Sequence, residues 1–99
     1  MLICLKQHSD QSLVHLFQNG HERAIEELIN RYKSSIYTSI YIIIKDRFVA
    51  EDIFQDTFLK IVNNIRVGKY AEQGKFLPWA IRIARNLSID YFRKIKQQK

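Results

Sequence analysis

The sequence predicts an all-α protein folded as one bundle of four helices, and three observations carry that expectation. Only three glycines and one proline punctuate 99 residues, so long helices run uninterrupted. Apolar residues recur at helical spacing in the long segments. The hydrophobic share, 46%, suffices for one core but not two.

The elements follow in order. Ser9 or Asp10 can cap a short first helix over residues 11–18. Asn19-Gly20 ends it and opens the next. The second helix is predicted from about residue 22 to 44. Ile25, Leu28, Ile29, Tyr32, Ile36, Ile40 and Ile43 fall there on one stripe. Asp46-Arg47 breaks it. The third helix is predicted over residues 49–65. Residues 66–74 hold two glycines and no apolar periodicity, and read as a loop. The fourth helix is predicted over residues 77–96. Pro78 suits its first turn, where a missing N–H costs no bond.

Composition excludes several classes. One cysteine, Cys4, forbids an internal disulfide and fits a reducing cytoplasm. The N-terminus lacks the basic head and long apolar run of a signal peptide. The longest apolar stretch, residues 36–44, is interrupted by Thr38 and Ser39 and is far shorter than the roughly 20 residues that span a bilayer. No membrane partner is expected. His21-Glu22 begins like a zinc-protease motif, but Ile25 stands where the second histidine belongs. His8, His15 and His21 have no companions at metal-ligand spacing. With no glycine-rich phosphate loop and no catalytic pair, neither a cofactor nor enzymatic activity is expected.

Charge is distributed unevenly. Residues 1–65 carry seven Lys/Arg and eight Asp/Glu, whereas residues 66–99 carry nine Lys/Arg and two Asp/Glu. The whole excess of +6 therefore comes from the last third. Such asymmetry fits a polyanion partner at one end, or a solvated basic tail.

Two helix faces exceed what folding requires. At 100° per residue, Ile53, Phe54, Phe58, Ile61, Val62 and Ile65 form the core side of the third helix. Asp52, Gln55, Asp56 and Asn63 cluster opposite, with Leu59 in their midst. An apolar residue ringed by polar ones suits a protein-binding patch, though a solvated face with a stray leucine reads the same way. On the fourth helix, Arg82, Arg85, Asn86, Arg93 and Lys96, with Lys75 if helical, share one face. Ala80, Ile83, Leu87, Tyr91 and Ile95 lie opposite, and Trp79 borders the basic stripe. Cations beside an aromatic suit a nucleic-acid backbone and an unstacked base. A surface helix with a core tryptophan is the alternative.

Two motifs carry a family resemblance. Residues 50–60, AEDIFQDTFLK, resemble the core-binding helix of extracytoplasmic-function sigma factors, a subfamily of the sigma-70 family. Residues 79–94, WAIRIARNLSIDYFRK, resemble that family's second signature. With the preceding helices, the resemblance to the domain known as region 2 covers roughly residues 10–97. It implies an alternative sigma factor domain that binds core RNA polymerase and recognises and melts the promoter −10 element. Asp52, Gln55, Asp56 and Leu59 match positions that dock on the polymerase clamp helices. Asp56 stands where glutamate is usual, with the same charge and a shorter reach. Residues 66–74 and those just after match a loop that captures a flipped base, offering Lys69, Tyr70, Gln73 and Lys75. Trp79, Arg82, Arg85, Asn86 and Arg93 match the helix lying along the non-template strand. Pro78 stands where housekeeping sigma factors place a second tryptophan, which implies a weaker melting wedge. The second domain of the family, a helix-turn-helix reading the −35 element, is not in residues 1–99, and the terminal KIKQQK resembles the start of a linker. An anti-sigma factor is a further partner class that fits. Two other readings stay open from the residues alone: a duplex-binding helical regulator, and a protein-interaction module with no nucleic-acid role.

Overall fold

A computed structural model describes residues 5–70 and 75–97. Among these the chain forms a short 3-10 turn, Leu5–Gln7, then α1 (Asp10–Gln18), α2 (Arg23–Ile44), α3 (Arg47–Arg66) and α4 (Phe76–Gln97). The four-helix all-α expectation holds, and the helix limits differ from it by a residue or two.

Local chemistry sets each boundary. Ser9 caps α1, its hydroxyl accepting from the Ser12 amide at 3.1 Å. Gly20, at φ 101°, closes α1. Its amide donates to the Phe17 carbonyl and the His21 amide to the Leu16 carbonyl, the paired pattern of a left-handed helix cap. Gly68, at φ 78°, closes α3 in the same way, through its own amide to Ile65 and the Lys69 amide to Asn64. Only Lys45 and Asp46 separate α2 from α3. Lys45 takes the left-handed conformation at φ 58°. Asp46 does more than break a helix: its carboxylate accepts from the Phe48 and Val49 amides and so starts α3.

The core forms around α2, which packs against α1, α3 and α4, while α3 and α4 also pack together. Leu13, Leu28, Ile36, Ile40, Ile61, Ile65 and Phe76 are among its fully buried side chains. Each such burial contributes about 1.5–3 kcal/mol. Of the predicted α2 stripe, Ile25, Leu28, Ile29, Ile36 and Ile40 are buried and Tyr32 packs on the cluster from its edge. Ile43 is outside the cluster, and Ile44 packs there instead. On α4, Ala80 and Ile83 are buried and Leu87 and Tyr91 half-buried, but Ile95 is 42% exposed. The last turns of α4 run past the other helices' cover. Thr57 and Ser88 are also buried, which apolar periodicity does not reveal. Each hydroxyl donates at 2.8 Å to the carbonyl four residues back, on Ile53 and Ala84, so burial leaves neither group unsatisfied.

A polar network fastens the N-terminal segment to α2. The Arg31 guanidinium donates to Asp10 and Glu27, each at 3.0 Å, and to the carbonyls of Leu5 and Lys6, each at 3.1 Å. The Tyr32 hydroxyl donates to the other Asp10 oxygen. This bond, aided by burial, holds the Tyr32 phenol above its ordinary pKa.

Two predictions follow from this architecture. Replacing Gly20→Ala should cost about 1–2 kcal/mol, because its positive φ disfavours a Cβ that nothing nearby obstructs. Lys45→Gly should shift stability the opposite way; denaturant midpoints of the two variants read the signs. Second, a raised folded-state phenol pKa means that the Tyr32–Asp10 bond stabilises fully below the unfolded value of 10.0 and is lost as pH rises through the folded one. Thermal melts above about pH 10 should therefore fall more steeply for the natural chain than for Tyr32→Phe.

Candidate functional site

The outer face of α3 is set by its inner one. Ala50, Ile53, Thr57, Ile61 and Ile65 are buried, with Phe54, Phe58 and Val62 packed at the flanks. Asp52, Gln55, Asp56 and Asn63 are consequently exposed, and Leu59 stands among them at 63% exposure. Neither Asp52 nor Asp56 makes an ion pair among the described residues, so their charge is available to a partner. The neighbouring Glu51 pairs with Arg47 at 3.6 Å along the helix surface. A groove between α2 and α3 adjoins this face, with Lys33, Tyr37 and Thr38 on one wall and Asp52, Phe54 and Gln55 on the other. The α2 wall was not marked by the sequence, because the stripe on that helix registers only its buried side.

On α4, Arg82, Arg85, Asn86 and Arg93 are all exposed. None of the three arginines pairs with a carboxylate among the described residues. Arg82, Arg85 and Asn86 line a shallow groove with Pro78, Ile81 and Ile89. Such a surface combines unpaired positive charge with an apolar strip, suited to a strand that offers phosphates and base faces together.

The aromatic residues arrange themselves differently from the simplest expectation. Trp79 is half-buried and packs on the core. Its ring meets Tyr70 edge-on, with centroids 4.8 Å apart, and lies 6.0 Å from Phe76. Phe76 in turn lies 5.8 Å from Tyr32 and 6.3 Å from Tyr70. Tyr70 is therefore buried, at 7% exposure, rather than open along a loop. The turn at Gly68 directs the chain back onto the start of α4, which brings Tyr70 against Trp79. Gly68 itself closes α3. Lys69 and Lys75 are exposed. Lys75 precedes α4, and its carbonyl accepts from the Trp79 amide at 3.4 Å. Gln73 lies outside the described residues, as do Glu72 and Gly74.

Arg66 belongs to α3 rather than to the following loop. It bonds Glu22 at 3.1 Å and stacks over Phe17 at 5.2 Å, a fastening between helices. Among the described residues there is no cluster able to hold a metal ion, and no helix is long and apolar enough to cross a membrane.

Comparison with known proteins identifies the arrangement. The family model described as Sigma-70 region 2 matches residues 28–98. The chain is 35% identical to the ECF RNA polymerase sigma factor SigM of Bacillus subtilis, over 75% of this chain and 44% of that protein. It is also 35% identical to the ECF RNA polymerase sigma factor BldN of Streptomyces coelicolor, over 82% of this chain and 30% of that one. A third relative, the ECF RNA polymerase sigma factor SigW of Bacillus subtilis, is 35% identical over 80% of this chain and 41% of its own. The chain thus spans less than half the length of these relatives. No solved structure gives a significant match. The match over α2, α3 and α4, which include both exposed faces, places the chain in the sigma-70 family, as a region 2 domain of the extracytoplasmic-function type.

Proposed function

We propose that this domain directs transcription initiation by holding core RNA polymerase on one face and the −10 element of a promoter on another. The observation that carries the reading is the division of exposed chemistry between two helices. α3 presents uncompensated carboxylates around an exposed leucine, while α4 presents uncompensated arginines beside an apolar groove. Neither face is used by the core. A duplex-binding regulator would account for the α4 arginines but would leave the α3 face without a role.

The α3 face, Asp52, Gln55, Asp56 and Leu59, docks on the polymerase clamp helices in this reading. Leu59 supplies an apolar anchor and the polar ring sets its orientation. The α4 face, Arg82, Arg85, Asn86 and Arg93, follows the phosphates of the non-template strand. Arginine suits this task because its fork bonds phosphate in two places. Lys69 and Lys75 add charge near the start of α4, and Trp79, held by Tyr70 and Phe76, stiffens the end of the helix where strands separate. Polymerase performs the chemistry; the domain places it and captures the strand, in the cytoplasm where both partners are found. An anti-sigma factor covering either face would block initiation.

The double substitution Asp52→Ala with Leu59→Ala should abolish capture of core polymerase while leaving helicity by circular dichroism unchanged, since both side chains are exposed. Undiminished capture would contradict the α3 assignment. In complex with core polymerase, removing Arg82, Arg85 or Arg93 should weaken binding to single-stranded promoter DNA. Each loss should flatten the salt dependence by roughly one unit per phosphate contact. A salt dependence unaltered by all three substitutions would make the stripe a solvated surface.

A further inference from the structure

Phe48 is the most exposed large apolar side chain among the described residues, at 79%. It stands in the first turn of α3, just after the Asp46 cap. Nothing in the start of the helix calls for a ring there. The apolar pair that often fastens a helix start joins the residue before the cap to the fourth residue of the helix, here Lys45 and Ala50. Phe48 belongs neither to the core nor to the residues packed against it. A single exposed apolar residue is common, so its place along the helix decides what it means.

α3 begins at Arg47, which makes Phe48 helical and puts it in register with the outward face. The sequence alone predicts the helix from residue 49 and leaves Phe48 out of that row. Phe48, Asp52, Gln55, Asp56 and Leu59 stand at i, i+4, i+7, i+8 and i+11, along one side of the helix. The row thus has an apolar side chain at each end, about 16 Å apart at a rise of about 1.5 Å per residue. Between them lie two carboxylates that make no ion pair among the described residues. The α2 wall adds to the Phe48 end. Tyr41 is exposed and stacks on Tyr37 with ring centroids 6.2 Å apart, and Tyr37 lines the groove beside Asp52 and Gln55. With only Lys45 and Asp46 between the helices, Tyr41 and Phe48 sit at the same end of the α2–α3 pair.

We propose that Phe48 is a second apolar anchor for core polymerase, so that the docking surface runs along α3 from the α2–α3 turn to Leu59. The inference rests on the function proposed above and specifies the partner's surface: two apolar seats about three helical turns apart, with cations between them. A helix laid along α3 presents such a set on one face. Continuity with the carboxylate row assigns the ring to polymerase. A partner that takes Leu59, Asp56 and Asp52 along the helix axis meets Phe48 next on the same row. An aromatic ring seated in a pocket that excludes water is among the strongest contributors to an interface.

The test is a titration of core polymerase with the fluorescently labelled 99-residue chain. Phe48→Ala should weaken binding by roughly ten- to hundredfold, the loss expected when a large apolar side chain is no longer buried. Phe48→Leu should restore most of the affinity. Melting temperature should hold in both variants, because the ring is exposed and alanine and leucine favour a helix. The salt dependence of binding should hold too, since no charge is removed. A lowered melting temperature with unchanged affinity would make Phe48 a structural residue and overturn the inference. A free chain that sediments as a dimer and becomes monomeric on Phe48→Ala, with polymerase affinity unchanged, would make it a contact between copies and overturn it as well. If Phe48→Ala leaves affinity unchanged while Asp52→Ala with Leu59→Ala abolishes capture, the inference falls and the proposed function stands. If neither change affects capture, both fall.

Discussion

The burial of three apolar helix stripes on α2 governs the rest of the molecule. α1, α3 and α4 each pack against it, and α3 and α4 close on one another. Once those stripes are satisfied, the remaining faces of α3 and α4 have no choice but solvent. The placement of Leu59 and of the three arginines follows from where Ile53, Ile61, Ala80 and Ala84 must go. The function proposed for these faces thus rests on residue positions that packing leaves unconstrained. It costs little stability to vary them.

Polar contacts then fix what the apolar core leaves loose. Arg31 draws the Leu5–Gln7 turn, Asp10 and Glu27 onto one guanidinium. A charged group at partial exposure survives there because two carboxylates and two carbonyls replace its water. Asp10 passes the constraint to Tyr32, and Tyr32 packs on Phe76, which also approaches Tyr70 and Trp79. One continuous set of contacts therefore runs from the chain's first helix to the start of α4. The rings of Tyr32, Phe76 and Tyr70, which complete the core, also line the cleft between the starts of α1 and α4.

Much of this was legible from residue spacing. The outward positions of Asp52, Gln55, Asp56 and Leu59 follow from the 3.6-residue period, as does the row Arg82, Arg85, Asn86 and Arg93, because both lie in the middle of long regular helices. Periodicity loses its force at helix ends and in aromatic corners. Tyr70 looked like an open loop residue because nothing in the local pattern shows that the Gly68 turn folds it onto Trp79. Arg66 and Gly68 looked like parts of a flexible loop, yet one fastens α3 to Glu22 and Phe17 and the other closes α3. Thr57 and Ser88 are polar by type and buried by position, and only their backbone acceptors explain it. The α1–α4 cleft joins residues more than sixty positions apart, a relation that no helical period contains.

The central claim is that the two outward faces serve two different partners at once. Photo-crosslinkers placed at the exposed positions Asn63 on α3 and Asp90 on α4 would test it in one assembly of the domain, core polymerase and an opened promoter. The account predicts that the Asn63 probe attaches to the largest polymerase subunits and the Asp90 probe to the non-template strand. Attachment of both probes to the same partner, or of the α4 probe to polymerase alone, would contradict it.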